Sequence, residues 1–67
     1  MYIKFSEKLK ELRTGKNLTQ QQLSDLLKIQ RYNISDWEQG RTEPDIKSII
    51  MLADFFNVTT DYLLGRE

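Results

Sequence analysis

Two short amphipathic runs separated by only three residues constrain this chain more than any other feature. The first is Leu18-Thr19-Gln20-Gln21-Gln22-Leu23-Ser24-Asp25-Leu26-Leu27 and the second Arg31-Tyr32-Asn33-Ile34-Ser35-Asp36-Trp37-Glu38-Gln39-Gly40, with Lys28-Ile29-Gln30 between them. Thr19 and Gln22 stand at capping-box spacing, so the threonine oxygen accepts from the backbone at Gln22 while the glutamine answers. Leu23, Leu26 and Leu27 then form the buried side of one helix. Ile34 and Trp37, at i, i+3, form that of the next, which leaves Arg31, Tyr32, Ser35 and Asp36 outward. Ile29 is expected to plug the turn. If Lys28 takes a positive φ there, a non-glycine residue costs about 1 kcal/mol and the turn becomes a weak point. A second helix held across a first in this way has the right width for the major groove of DNA.

The flanking sequence reads as support for that pair. Phe5, Leu9 and Leu12 recur at spacings of four and three, which predicts an amphipathic first helix over residues 5–13. Thr14-Gly15-Lys16-Asn17 breaks the pattern, Gly15 and Asn17 being the residues that tolerate a positive φ. After the loop Arg41-Thr42-Glu43-Pro44, Pro44 and Asp45 signal the start of a fourth helix. It carries Ile46, Ile49, Ile50, Met51, Leu52, Ala53, Phe55 and Phe56, more apolar residues than one buried stripe holds. Asn57 stops it, and Thr59 caps a short last helix that ends before Gly65. No strand-like alternation, low-complexity tract or internal repeat is evident, so an all-α, compact five-helix domain over residues 1–67 is expected.

Composition narrows the chemistry. Sixty-seven residues bury only about 60% of the surface of the unfolded chain, which leaves little for a substrate pocket. The chain has neither cysteine nor histidine, so disulfides, thiolate metal sites and a histidine base are excluded. A carboxylate pair would have to carry any hydrolysis, and Asp54 with Asp61 or Glu43 with Asp45 read as ordinary capping and surface groups. No enzyme activity, cofactor, metal or small-molecule site is expected. No apolar run approaches a membrane span, and Met1-Tyr2-Ile3-Lys4 lacks the long apolar stretch of a signal peptide, so the expectation is a soluble cytoplasmic protein. The formal charge is zero, but residues 1–17 carry +3, residues 18–43 carry −1 and residues 44–67 carry −2. Such polarity can orient a protein over a phosphate backbone, while the weak total predicts modest non-specific affinity and a shallow salt dependence.

The ordered set Leu9, Leu12, Arg13, Leu18-Thr19-Gln20, Leu23, Ile29, Ile34, Trp37-Glu38-Gln39-Gly40, Pro44, Leu52-Ala53, Val58 and Leu63-Leu64 resembles the lambda-repressor-like helix-turn-helix family, of the Cro/CI or Xre type found in phage and bacterial regulators. The resemblance runs from Phe5 to Leu64. It implies that the third helix, about residues 30–39, lies in the major groove of double-stranded DNA, with Gln30, Arg31, Tyr32, Ser35 and Asp36 near base edges. Arg31 can make a bidentate contact to guanine, or bind only phosphate; Tyr32 can meet a thymine methyl, reach a phosphate, or stay solvated. Asp36 stands where the family often has a neutral amide or a basic residue. It can accept from cytosine N4, or remain solvated or bonded to Tyr32 and reject wrong sequences. Thr19, Gln20, Asn33, Gln39 and Arg41 are the implied phosphate contacts, Gln20 first among them at the start of the second helix. Thr19 is also the expected cap, and Arg41 has the plain alternative of a solvated loop arginine. The resemblance also implies a structural ion pair between Arg13 and Glu38, tying the first helix to the third.

Met51, Phe55 and Tyr62 stand where the family usually has polar or small residues, which marks them as a dimer or partner surface, with an enlarged core as the alternative. A two-fold dimer would set two recognition helices about 34 Å apart on a palindromic or near-palindromic operator. The expected function is that of a sequence-specific DNA-binding transcriptional regulator, a phage or bacterial repressor. The competing expectation is a helix-turn-helix module used to bind protein, as an antitoxin half or anti-repressor partner. Many members of the family carry a second domain, and Arg66-Glu67 stands where a linker to one would begin.

Overall fold

A computed structural model describes residues 4–66, so the reading of the Met1-Tyr2-Ile3 segment and of Glu67 lies outside the described residues. Five helices follow one another: α1 (Phe5–Gly15), α2 (Gln20–Leu27), α3 (Arg31–Glu38), α4 (Ile46–Phe56) and α5 (Thr60–Leu63). The described residues are all-α, as expected. Packing joins α1 to α3 and α5, α2 to α3, and α4 to α5. Phe5, Leu9, Leu23, Ile34, Trp37, Leu52, Ala53, Phe56 and Leu63 form the buried core where these helices meet, with Ile29 and Val58 packed against it. Trp37 meets the edge of the Phe5 ring at 6.2 Å between centroids, which seats α3 on α1.

Helix starts follow side-chain chemistry. Thr19 accepts from the Gln22 amide at 3.0 Å, and Gln22 Oε1 accepts from the Thr19 amide at 2.8 Å, a complete capping box. Asp45 caps α4 by accepting from the Ser48 amide at 3.0 Å, and Thr59 caps α5 by accepting from the Tyr62 amide at 3.0 Å. The hydrogen bonds from Ser48 lower the Asp45 pKa below its ordinary value, because they favour the charged carboxylate.

Helix ends share one backbone device. At each, a residue with positive φ is followed by one whose amide reaches back five residues: Leu18 to Arg13, Ile29 to Ser24, Arg41 to Asp36, Val58 to Ala53 and Arg66 to Asp61. The positive-φ residues are Asn17, Lys28, Gly40, Asn57 and Gly65. Gly15 is a departure from the sequence expectation. It stays in α1, where nothing crowds it, and the chain reverses at Asn17 instead. Gly65 is required for a second reason, since a Cβ there would lie 2.7 Å from Lys4 Cβ.

One burial expectation is corrected. Leu26 is 58% exposed, because α3 covers the stripe containing Leu23 and leaves Leu26 beside it. Asp36-Trp37-Glu38-Gln39-Gly40-Arg41 and Asp61-Tyr62-Leu63-Leu64-Gly65-Arg66 share an Asp-aromatic-x-x-Gly-Arg pattern, and both end a helix in the same way.

Candidate nucleic-acid interface

The tie between α1, α2 and α3 is polar. Arg13 Nε donates to Glu38 Oε2 at 2.6 Å and Arg13 Nη2 to Glu38 Oε1 at 3.0 Å, a bidentate pair. Arg13 Nη1 donates to the Leu18 carbonyl at 2.6 Å, and Gln20 Nε2 donates to Glu38 Oε1 at 3.1 Å. The side chains of Arg13 and Glu38 are only 11% and 4% exposed. One carboxylate therefore fixes the ends of α1 and α3 and the start of α2. Every buried side-chain polar atom among the described residues has a partner, as a buried ion pair requires.

The turn between α2 and α3 is held from within. Ser24 is buried, and its hydroxyl donates to the Ile29 carbonyl, clamping the chain around Lys28, whose φ of 57° is the positive value the sequence raised as a condition. Ile29 inserts beside the core. Nothing about Ser24 as a residue type announces this; the available signal was its place on the inward side of α2, beside Leu23 and Leu27.

A shallow groove brings Thr19, Gln20 and Gln21 at the start of α2 together with Arg31 at the start of α3, with Arg13, Thr14, Asn17 and Leu18 along its other wall. Arg31, read from the sequence chiefly as a base reader, thus lines the same depression as two of the expected phosphate contacts. Gln20 already gives one amide hydrogen to Glu38, which orients its side chain across the groove. Gln30 is exposed at the α3 cap position, Tyr32 is 64% exposed, and Asn33 is half-buried. On the next turn Gln39 Nε2 donates to Ser35 Oγ at 2.9 Å, so these two side chains act as a unit. Asp36 is not bonded to Tyr32. Its Oδ1 lies 3.6 Å from Arg41 Nη1, and its carbonyl accepts from the Arg41 amide at 2.9 Å. Two residues assigned separately to bases and to phosphate are thereby one feature.

Residues 6–67 match a family model described as a helix-turn-helix domain. The chain belongs to that family. The match and the similar proteins identify the lambda-repressor-like, Xre or Cro type. The chain is 49% identical over 65 residues to the HTH-type transcriptional activator BcrR of Enterococcus faecalis, covering 97% of this chain and 32% of that protein. It is 42% identical over 60 residues to the SPbeta prophage-derived uncharacterized HTH-type transcriptional regulator YonR of Bacillus subtilis, covering 90% of this chain and 56% of that one. It therefore spans a third to about half the length of these curated relatives. A transcriptional regulator from Listeria innocua superposes with a TM-score of 0.89 at 32% identity, over 97% of this chain and 61% of that one. The restriction-modification controller protein C.AhdI from Aeromonas hydrophila superposes with a TM-score of 0.80 at 31% identity, over 91% of this chain and 92% of that one.

In this helix-turn-helix domain, α2 and α3 are the paired helices. The residues of the expected partner surface stand on α4 and α5, outside the paired helices. Phe55 is half-buried against the core, in edge contact with Phe56 at 4.9 Å, and Lys16 Nζ stands 6.0 Å from its ring. Lys8 Nζ stands 4.8 Å from the Tyr62 ring, so a lysine of α1 and the one that follows its end lie over the two aromatics. Met51 is half-buried. The openly exposed apolar residues of α4 are Ile46 (76%) and Ile50 (49%). At 100° per residue they lie about 140° around α4 from Met51 and Phe55, with Lys47 and Asp54 between. No helix among the described residues is long and apolar enough to cross a membrane, and no cluster of three metal-ligating residues occurs among them.

Proposed function

We propose that this domain binds double-stranded DNA sequence-specifically through α3 and serves a transcriptional regulator. The observation that carries the reading is the Arg13–Glu38–Gln20 network. It fixes α3 across α2 and leaves Arg31 and Tyr32 exposed on the outer side. A helix that must present side chains to base edges needs such rigid support more than it needs stability. In this reading Arg31 reads guanine, Gln30, Tyr32 and Ser35 reach neighbouring base edges, and Thr19, Gln20, Asn33 and Gln39 hold phosphates. The domain comprises residues 1–67, uses no cofactor, acts without catalysis, and works in the cytoplasm as a homodimer on a palindromic operator. Ile46 and Ile50, with the flank bearing Met51, Phe55 and Tyr62, are its candidate partner surfaces. Whether it represses depends on where the operator lies relative to a promoter. Repression is the reading for a site that overlaps one, and one named relative is an activator.

The test is selection from a random duplex pool at low salt, with the wild-type protein beside Arg31→Ala. A two-fold site that loses a guanine preference in the variant is the expected result. An identical site from both proteins would remove Arg31 from base reading, and no site from either would sink DNA binding. A second reading, a module that binds protein, draws on the zero formal charge and the exposed Ile46 and Ile50. Salt separates the two, because DNA binding weakens as salt rises, even with the shallow slope expected of an uncharged domain, and an apolar contact does not.

A further inference from the structure

Asp36 and Asp61 stand in matching hexapeptides, each followed five residues later by an arginine after a positive-φ glycine. Both pairs close a helix with the same backbone bond, and in both the guanidinium lies 3.6 Å from the carboxylate. Other ends of this kind put Leu18, Ile29 or Val58, all packed on the core, where these put arginine. The two pairs differ in surroundings. Asp61 lies on α5, which packs on α1 and α4, and its side chain is 62% exposed; that of Asp36 is 31% exposed, on the outer face of α3. Asp61–Arg66 is thus an internal control, the same local geometry away from the groove.

A carboxylate on a DNA-facing helix is repelled by phosphates unless a cation travels with it. Arg41 meets that need. Its backbone is fixed by the bond to the Asp36 carbonyl, and its guanidinium has five donors, enough to hold a carboxylate and a phosphate together. Exposed pairs of this length contribute little to folding, so the arrangement has its effect where the dielectric falls and the phosphate field is strong. We propose that Asp36 is a specificity-determining residue that accepts from cytosine N4, and that Arg41 is the positioning residue whose charge lets it approach the DNA. The inference rests on the DNA-binding reading above. An acceptor-only group there also rejects guanine and thymine, whose exposed edges are acceptors.

The experiment is a double-mutant cycle in DNA affinity on the duplex selected by wild-type protein, with Arg41→Ala, Asp36→Asn, both together, and Arg66→Ala. Arg41→Ala is expected to weaken binding about tenfold in the wild-type background and less than about threefold beside Asp36→Asn, a coupling typical of contacting residues. Arg66→Ala should change affinity less than about twofold, and all variants should melt with the wild-type protein. A repeated selection with Asp36→Asn should lose a cytosine preference and shift towards adenine, which an amide pairs bidentately. The proposal is overturned if Arg41→Ala weakens both backgrounds equally and lowers the salt slope by about 1, the mark of a plain phosphate contact. It is equally overturned if Asp36→Asn selects the wild-type site. A wild-type protein that selects no site removes the DNA-binding reading and this inference together, whereas additivity on a selected site removes only the inference.

Discussion

The two halves of this molecule are held by different forces. Around α2 and α3 the ties are directional: a bidentate ion pair, an amide on the same carboxylate, a reciprocal cap and a buried hydroxyl that clamps the turn. In α4 and α5 the ties between elements are mostly apolar, through Leu52, Ala53, Phe56 and Leu63, with one backbone bond from the Lys4 amide to the Leu64 carbonyl at 3.1 Å, and the caps made by Asp45 and Thr59 each accept from an amide of their own helix. Directional bonds set an angle, whereas apolar contacts set only a distance and tolerate small shifts. The first half therefore suits a surface that must match a rigid partner in register, and the second suits one that can adapt.

Deletions should separate the two kinds of support. Leu52→Ala empties a fully buried site in α4 and should cost about 2 to 5 kcal/mol, the largest single loss expected, measured by urea unfolding. Arg13→Ala should cost about 3 kcal/mol, because it strands the Glu38 carboxylate at 4% exposure. The distinguishing feature is the double replacement. Arg13→Met with Glu38→Leu should lose less than Arg13→Ala alone, while a core truncation out of contact with Leu52 should add to the loss from Leu52→Ala. If the double replacement proves worse than Arg13→Ala, the polar tie contributes stability as well as orientation, and the contrast between the halves narrows.

The turns allow a closer comparison, because Lys28 in the paired helices and Asn57 after α4 both have φ of 57°. Asparagine tolerates that conformation through its short polar side chain, whereas lysine adopts it at a cost. Lys28→Gly should therefore stabilise the domain by about 1 kcal/mol, and Asn57→Lys should destabilise it by a similar amount. Equal and negligible effects would mean that the surrounding bonds, not residue type, determine the two conformations. This turn also marks what the sequence made legible. Spacing alone located the turn, the plug Ile29, the Thr19–Gln22 cap and the inward residues Phe5, Leu9, Leu23, Ile34 and Trp37, since all depend on local periodicity and chemistry, but it did not choose among the apolar residues of α4. It did not reveal that Ser24 clamps the turn, that Leu26 is exposed, or that Asp36 is bonded to Arg41 rather than Tyr32. Those depend on which face of a helix a neighbour covers, and on chain reversal at Gly40 returning Arg41 to the end of α3. The same limit explains Phe55 and Tyr62. The family resemblance marked them as a partner surface, because polar or small residues are usual there, and only the packing of the chain shows Lys16 and Lys8 lying over them.

On the outer flank of α4 the contrast should invert, with little effect on folding and a visible effect on association. Ile46→Lys and Ile50→Lys remove no buried contact of importance and should change stability by less than about 0.5 kcal/mol. If this flank is the partner surface, both should lower the self-association measured by sedimentation, and Met51→Lys, on the other flank, should not. The reverse pattern would transfer the surface to the side bearing Phe55 and Tyr62.

The smallest difference lies in the caps. The start of α2 is held by the Thr19 hydroxyl, which does not titrate, whereas the start of α4 is held by the Asp45 carboxylate. The Ser48 hydrogen bonds lower the Asp45 pKa below its ordinary value, so the folded state favours the ionised form. The sign follows from linkage: the unfolded chain takes up the proton first as pH falls. The contribution of this cap is therefore complete above the ordinary carboxylate value, near about 3.9, and is lost as pH falls through the lower folded value. Below it α4 should loosen at its first turn while the start of α2 is unaffected. Amide shifts resolve this directly. The Ser48 amide should titrate with a midpoint below that of an unperturbed aspartate, and the Gln22 amide should show no such step. Asp45→Ser keeps an oxygen at the cap without a titratable group, so it should abolish the Ser48 step and flatten the acid limb of the stability profile relative to wild type. A Ser48 step that survives in Asp45→Ser would assign the titration to another carboxylate, and the two helix starts would then be equivalent in acid.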